Sequence, residues 1–123
     1  MELVKAKYKT GIYIGELIDV QEEQNRALFK VLAVETHPKQ GDLHNPKQVD
    51  VAYFHQRKAL AYLEKAWVPL TTVKSYEGTE AADYESSLRE AWQRAYDTVA
   101  QDDSEWARKS LHLLDDLRHD YSF

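Results

Sequence analysis

The chain contains no cysteine. That absence removes disulfides, thiolate nucleophiles, cysteine-ligated zinc and any lipid carried on a cysteine. Glycine is scarce, with four in 123 residues, and neither a phosphate-cradling glycine-rich loop nor a dinucleotide fingerprint occurs. All six serines lie from Ser75 onward, and no Gly-x-Ser-x-Gly elbow or His-Glu-x-x-His pair is present. No apolar run reaches the length of a signal-peptide core or a bilayer span. These gaps leave little for enzyme chemistry. The expectation is a cytoplasmic protein with no catalytic residues, no cofactor and no bound metal.

What is present is globular in composition, with 43% hydrophobic and 30% charged residues. The formal charge of −5 is unevenly spread. Residues 1–76 carry 11 Lys+Arg against 9 Asp+Glu, whereas residues 77–123 carry 5 against 12. A nearly neutral module therefore precedes an acidic one. Net acidity repels phosphate backbones at long range, so nucleic acid is not the expected partner.

Leu3–Thr10 alternates Lys5, Lys7 and Lys9 with Val4, Ala6 and Tyr8, the period of a half-buried strand. Gly11 reads as a turn. Ile12–Val20 reads as a second strand, with Ile12, Ile14, Ile18 and Val20 on one face and Tyr13, Leu17 and Asp19 on the other. Gly15 inside it predicts a bulge or bend. After the polar turn Gln21–Asn25, Ala27–Glu35 is apolar on both faces and reads as a central strand. Val49–Phe54 alternates again. Ala59–Pro69 recurs at helical spacing through Leu60, Leu63 and Trp67, but its two-sided alternation favours strand up to Pro69. Five short strands in the first part predict a small closed β-barrel, because closure removes exposed edges.

Ser75–Ala82 reads as a link around Gly78. From about Asp83 the pattern becomes helical, with Tyr84, Leu88, Ala91, Trp92, Ala95 and Val99 on one stripe. Glu85–Arg89 and Glu90–Arg94 are four-residue pairs with the acid first, the favourable order. Gln101–Ser104 breaks this helix, and Asp102 or Asp103 is placed to cap the next. The second stripe is Trp106, Ser110, Leu113, Leu114, Leu117 and Tyr121. The fold expected is β+α: a barrel over residues 1–76 and an acidic helical hairpin over residues 77–123, packed into one compact domain. An apolar helix face also offers a route to a homodimer.

The stretch from His37 to Pro69 holds three of the five histidines and all three prolines. Its first third is polar and lacks the period of a helix or strand, as binding loops on rigid scaffolds do. His37, Asp42, His44 and His55 are suitable metal or acid/base side chains, but their spacing matches no metal motif, and His112 and His119 give a weaker signal. Tyr53, Phe54 and His55, followed by Gln56, Arg57 and Lys58, combine aromatic planes with cations, the residue types of protein-binding hot spots. The plainer reading puts Tyr53 or Phe54 in the core and leaves Arg57 and Lys58 as a solvated turn. A nucleic-acid or ribosomal surface built from Lys5, Lys7, Lys9, Arg57 and Lys58 is the alternative, and a histidine/aspartate metal enzyme is a third reading.

Residues 37–48, then Val51–Ala61 with Phe54-His55-x-Arg57-x-Ala59-Leu60-Ala61, and Val73–Gly78 resemble the kinase-associated protein B (KapB) family of spore-forming bacteria. Tyr8–Gly11, Tyr13–Glu16 and Asp102–Ser104 extend the resemblance over nearly the whole chain. The resemblance implies an SH3-like barrel followed by a helical region. It also implies an accessory role beside a membrane sensor histidine kinase that feeds the sporulation phosphorelay, without kinase activity of its own. Members have been described as lipoproteins; this sequence departs from that, since a lipobox needs a cysteine, and any membrane association is expected through the kinase. The family supplies no catalytic residues. Asp42, Leu43, His44, Asn45, Tyr53, Phe54, His55 and Arg57 are the expected partner-binding residues.

Overall fold

The computed structural model describes residues 2–41 and 55–123. Five strands form one antiparallel sheet: β1 (Val4–Tyr8), β2 (Gly11–Gln21), β3 (Arg26–Thr36), β4 (Lys65–Pro69) and β5 (Lys74–Ser75), in the order β4-β3-β2-β1-β5. Two helices follow, α1 (Tyr84–Ala100) and α2 (Glu105–Tyr121). The expected strand Val49–Phe54 lies outside the described residues.

β1 turns directly into β2 through Lys9, whose φ of 54° supplies the left-handed geometry of a tight hairpin. A single turn of 3-10 helix (Glu22–Gln24), closed by Asn25 at φ 51°, joins β2 to β3. A second one (Leu70–Thr72) joins β4 to β5. The sheet curls enough that β1 touches β4, although β2 and β3 lie between them in the ladder. Among the described residues the edge strands β4 and β5 are not hydrogen-bonded to each other. Among the described residues the expected closed barrel is therefore an open, curled antiparallel sheet.

Two features differ from the pattern read in the sequence. In β2, the pairing with β3 shifts register at Ile12/Tyr13, Ile14/Gly15 and Leu17/Asp19. Each shift changes which side chains face inward. Tyr13 is thus a core residue, while Ile18 and Val20, assigned to the Ile14 face, are exposed. Gly15 marks the close approach: a Cβ there would lie 1.9 Å from the Lys30 carbonyl oxygen. The second difference is Ala59–Glu64, which is not strand. Leu63 takes φ 66°, Ala61 N–H donates to Glu64 Oε1 at 2.8 Å, and only then does the chain enter β4.

The helices follow the stripes. Asp83 caps α1 through the Ser86 N–H, and Ser104, rather than Asp102 or Asp103, caps α2 through the Ala107 N–H at 3.1 Å. Asp102 instead receives the Ser104 N–H at 2.8 Å, shaping the approach to the cap. The sheet face formed by Ala27, Phe29, Val31 and Val34 packs with Tyr13, Ala59 and Val68 against Leu88 and Ala91 of α1. A second cluster, from Trp92 and Val99 to Trp106, Leu114 and Leu117, joins α1 to α2. Helix and sheet also share a polar bond: the buried Val34 N–H donates 3.0 Å to Ser87 Oγ. The arginines of the expected helical pairs are used elsewhere. Arg94 donates to the Glu35 carbonyl at 2.6 Å, and Arg89 lies over the Phe123 ring.

Candidate functional site

The polar stretch after β3 is anchored at both of its described ends. Gln40 is 4% exposed, and its amide brackets Arg57: the Arg57 N–H donates to Gln40 Oε1 at 2.8 Å, and Gln40 Nε2 donates to the Arg57 carbonyl at 3.0 Å. One residue on, Gly41 N–H donates to the His55 carbonyl at 2.8 Å. Arg57 Nε donates to the Gly41 carbonyl at 3.0 Å. Gly41 takes φ 102°, a conformation glycine adopts at little cost. The described residues on either side of 42–54 are therefore tied together by a four-bond clamp.

Below the clamp lies a buried polar chain. His37 is 2% exposed. Its Nδ1 lies 2.9 Å from the Pro38 carbonyl, and its Nε2 lies 2.9 Å from the Tyr121 hydroxyl. A carbonyl can only accept, so Nδ1 carries the proton and Nε2 accepts from Tyr121. The same hydroxyl oxygen accepts the Ala59 N–H at 2.9 Å. Burial pushes the His37 pKa down to about 4, against the smaller opposing effect of the Pro38 bond. The imidazole is neutral at pH 7, with both nitrogens engaged inside the protein.

Three tyrosines converge on Ala59–Leu60. Tyr121 from α2 takes the Ala59 N–H, Tyr13 from β2 takes the Leu60 N–H at 3.2 Å, and Tyr84 from α1 donates to the Leu60 carbonyl. Burial, the largest cause for each, raises all three phenol pKa values, to about 12 for Tyr13 and Tyr84. The hydroxyls thus stay protonated and supply the bonds that a strand ladder would otherwise give this segment. The sequence showed these tyrosines as spaced aromatics; nothing in their spacing signals that they meet.

Of the expected contact residues, Asp42, Leu43, His44, Asn45, Tyr53 and Phe54 lie outside the described residues. His55 and Arg57 are half-buried at the clamp, and Arg57 has a structural role there. His37 lies in the polar chain beneath rather than with His55 in a ligand set, and no group of three metal-ligating side chains occurs among the described residues. The cations of the nucleic-acid reading are divided as well. Lys5 pairs with Glu35 at 3.0 Å, Lys9 sits over the Tyr8 ring, and Arg57 holds Gly41. Among the described residues no helix is long and apolar enough to cross a membrane.

A family model described as "Kinase associated protein B" matches residues 8–122. The chain is 52% identical over 119 residues to the kinase-associated lipoprotein B of Bacillus subtilis (strain 168), an alignment spanning 97% of this chain and 91% of that protein. Its fold superimposes on the crystal structure of kinase-associated protein B from Bacillus cereus with a TM-score of 0.81 at 37% identity, covering 99% of this chain and 95% of the other. With the family model, the close relative and the fold in agreement over nearly its full length, the chain belongs to the kinase-associated protein B family.

Proposed function

We propose that the protein is a non-enzymatic accessory of a sensor histidine kinase and supports activation of that kinase in the sporulation phosphorelay by direct contact. The reading rests on the family, whose named members are kinase-associated, and on one observation: the clamp of Gln40, Gly41, His55 and Arg57. A segment whose flanking residues are fixed presents its ends to a partner at little further ordering cost, which favours binding without adding contacts. Asp42, Leu43, His44, Asn45, Tyr53, Phe54, His55 and Arg57 are the proposed contact residues. His37 does not serve as a catalytic base in this reading, because both its nitrogens are bonded internally.

The Bacillus subtilis relative is named a lipoprotein; the 123 residues here contain no cysteine to carry a thioether-linked lipid. On this reading the protein works on the cytoplasmic side, held at the membrane by its kinase. The test is capture of the kinase's cytoplasmic part by the wild-type chain and by Asp42→Ala and His44→Ala. Weaker capture by folded variants supports the surface. Equal capture moves the surface elsewhere, and no capture by wild type refutes direct binding. Deletion of the gene in a sporulating host is expected to lower phosphorelay output.

A further inference from the structure

A cavity of ≈ 210 Å³ lies between residues 36–40, α1 and α2, with Gln40 of the clamp in its lining. Its wall is largely apolar: Ala91, Ala95 and Val99 from α1, Trp106 and Leu114 from α2. Ser110 breaks that pattern. It lines the cavity, is 1% exposed, and its Oγ has no hydrogen-bond partner among the described residues. A helical serine usually returns its hydroxyl to the preceding turn, and an unpaired buried hydroxyl costs about 1–3 kcal/mol. Alanine would fill this helix position without that cost. The hydroxyl is thus set where an incoming polar atom can pair with it.

The mouth has a definite charge. The ionised side chains that line the cavity are Arg94 and Lys39, and none of its lining residues is a carboxylate, although residues 77–123 carry 12 acids against 5 basic residues. Arg94 is held in place by the bond to the Glu35 carbonyl, and a guanidinium retains further N–H donors for a carboxylate. The neighbouring His37 adds no charge, since its imidazole is neutral and its nitrogens face Pro38 and Tyr121.

We propose that this cavity is a binding site for a small aromatic monocarboxylate. The ring lies among Ala91, Ala95, Val99, Trp106 and Leu114, the carboxylate meets Arg94 and Lys39, and a ring hydroxyl pairs with Ser110 Oγ. The volume is below the roughly 300–1,000 Å³ typical of drug-sized ligands, which restricts the occupant to about one substituted ring. The lining includes Gln40 of the clamp but neither His55 nor Arg57, and the test of this site does not involve the kinase.

The probes are 4-hydroxyphenylacetate and phenylacetate, titrated into the full-length ¹⁵N-labelled protein at millimolar concentration. Saturable shifts are expected in the amides of Ala91, Ala95 and Ser110, with the hydroxylated probe bound about tenfold more tightly, the equivalent of one hydrogen bond. Ser110→Ala is expected to keep the fold and remove that preference. Arg94→Gln should weaken both probes about tenfold, and Ala95→Phe, which fills the cavity, should abolish binding. Absence of saturable shifts in the wild type overturns the proposal. Wild-type affinity for 4-hydroxyphenylacetate in folded Ser110→Ala or Arg94→Gln protein overturns it equally.

Discussion

Acid should unfold this protein partly through His37. In the folded state the imidazole is 2% exposed and its pKa is pushed down to about 4, whereas in the unfolded chain it returns to the ordinary 6.5. The folded protein therefore prefers the neutral ring. The stability that preference contributes is fully present above pH 6.5 and is lost as pH falls through 4, because the unfolded chain gains a proton that the folded one resists. Linkage between those two values gives a loss of about 2 kcal/mol between pH 7 and pH 5. Other groups contribute their own slope, so the measurement is a comparison. Urea unfolding followed by tryptophan fluorescence, at pH 7 and pH 5, is run on the wild type and on His37→Gln. The variant should be weaker at both pH values but should lose about 2 kcal/mol less between them. A ¹⁵N-resolved titration of the wild type should show one histidine, His37, that keeps the neutral Nδ1–H tautomer at pH 5. Equal pH slopes in the two proteins, or a buried ring that titrates near 6.5, would refute the reasoning.

Four further outcomes follow from the same geometry. Tyr121→Phe removes a hydroxyl that both accepts the Ala59 N–H and donates to His37; it should cost about 3 kcal/mol in urea unfolding, since two polar groups lose their partner. Gly15→Ala places a methyl against the Lys30 carbonyl and the Phe29 ring, with an expected loss of about 2–3 kcal/mol by the same assay. Ser104→Ala removes the cap of α2 and should cost about 1 kcal/mol, with Ser104→Gly losing only a few tenths. Residues 1–76 expressed alone should show no cooperative thermal transition by circular dichroism, because Leu88 and Ala91 complete the cluster that covers Phe29 and Val31.

The helices were legible because their information is local. Tyr84, Leu88, Ala91, Trp92 and Val99 repeat at the helical period, and all line the interior or its margin. β1 was readable for the same reason at a period of two, and β3 as a run apolar on both faces. β2 was readable as a strand but not by face, since each register shift moves the alternation by one residue. Only Gly15 announced one of those shifts. Ala59–Glu64 was misread because its apolar residues alternate in sequence although Ala61, Tyr62 and Leu63 are exposed, while the backbone of Ala59 and Leu60 is satisfied by tyrosines far away in sequence. His37 and Gln40 read as polar loop residues, although they are among the few buried polar side chains. Apart from the Pro38 carbonyl, their partners at Tyr121, Arg57 and Trp106 come from separate parts of the chain, so no short window of sequence contains both ends of those bonds.

Those distant partners give the acidic helices a role beyond covering the sheet. Tyr121 sits in the last turn of α2, stacks edge-on against His37, and lies beside Phe123, whose ring packs on Trp92. Trp92 in turn donates to the Leu114 carbonyl at 2.8 Å, tying α1 to α2. The end of the chain is thereby linked through one hydroxyl to both His37 and Ala59, the residues that lead into and out of the Gln40–Arg57 clamp. Any loosening of the α2 terminus removes bonds from both sides of the junction at once, while β1 and the β4–β5 connection keep their own pairing. The bonds that flank residues 42–54 therefore depend on the packing of α2 more closely than on the opposite edge of the sheet. Substitutions at Tyr121 or Phe123 should alter partner binding through that segment even though neither residue belongs to the proposed contact surface.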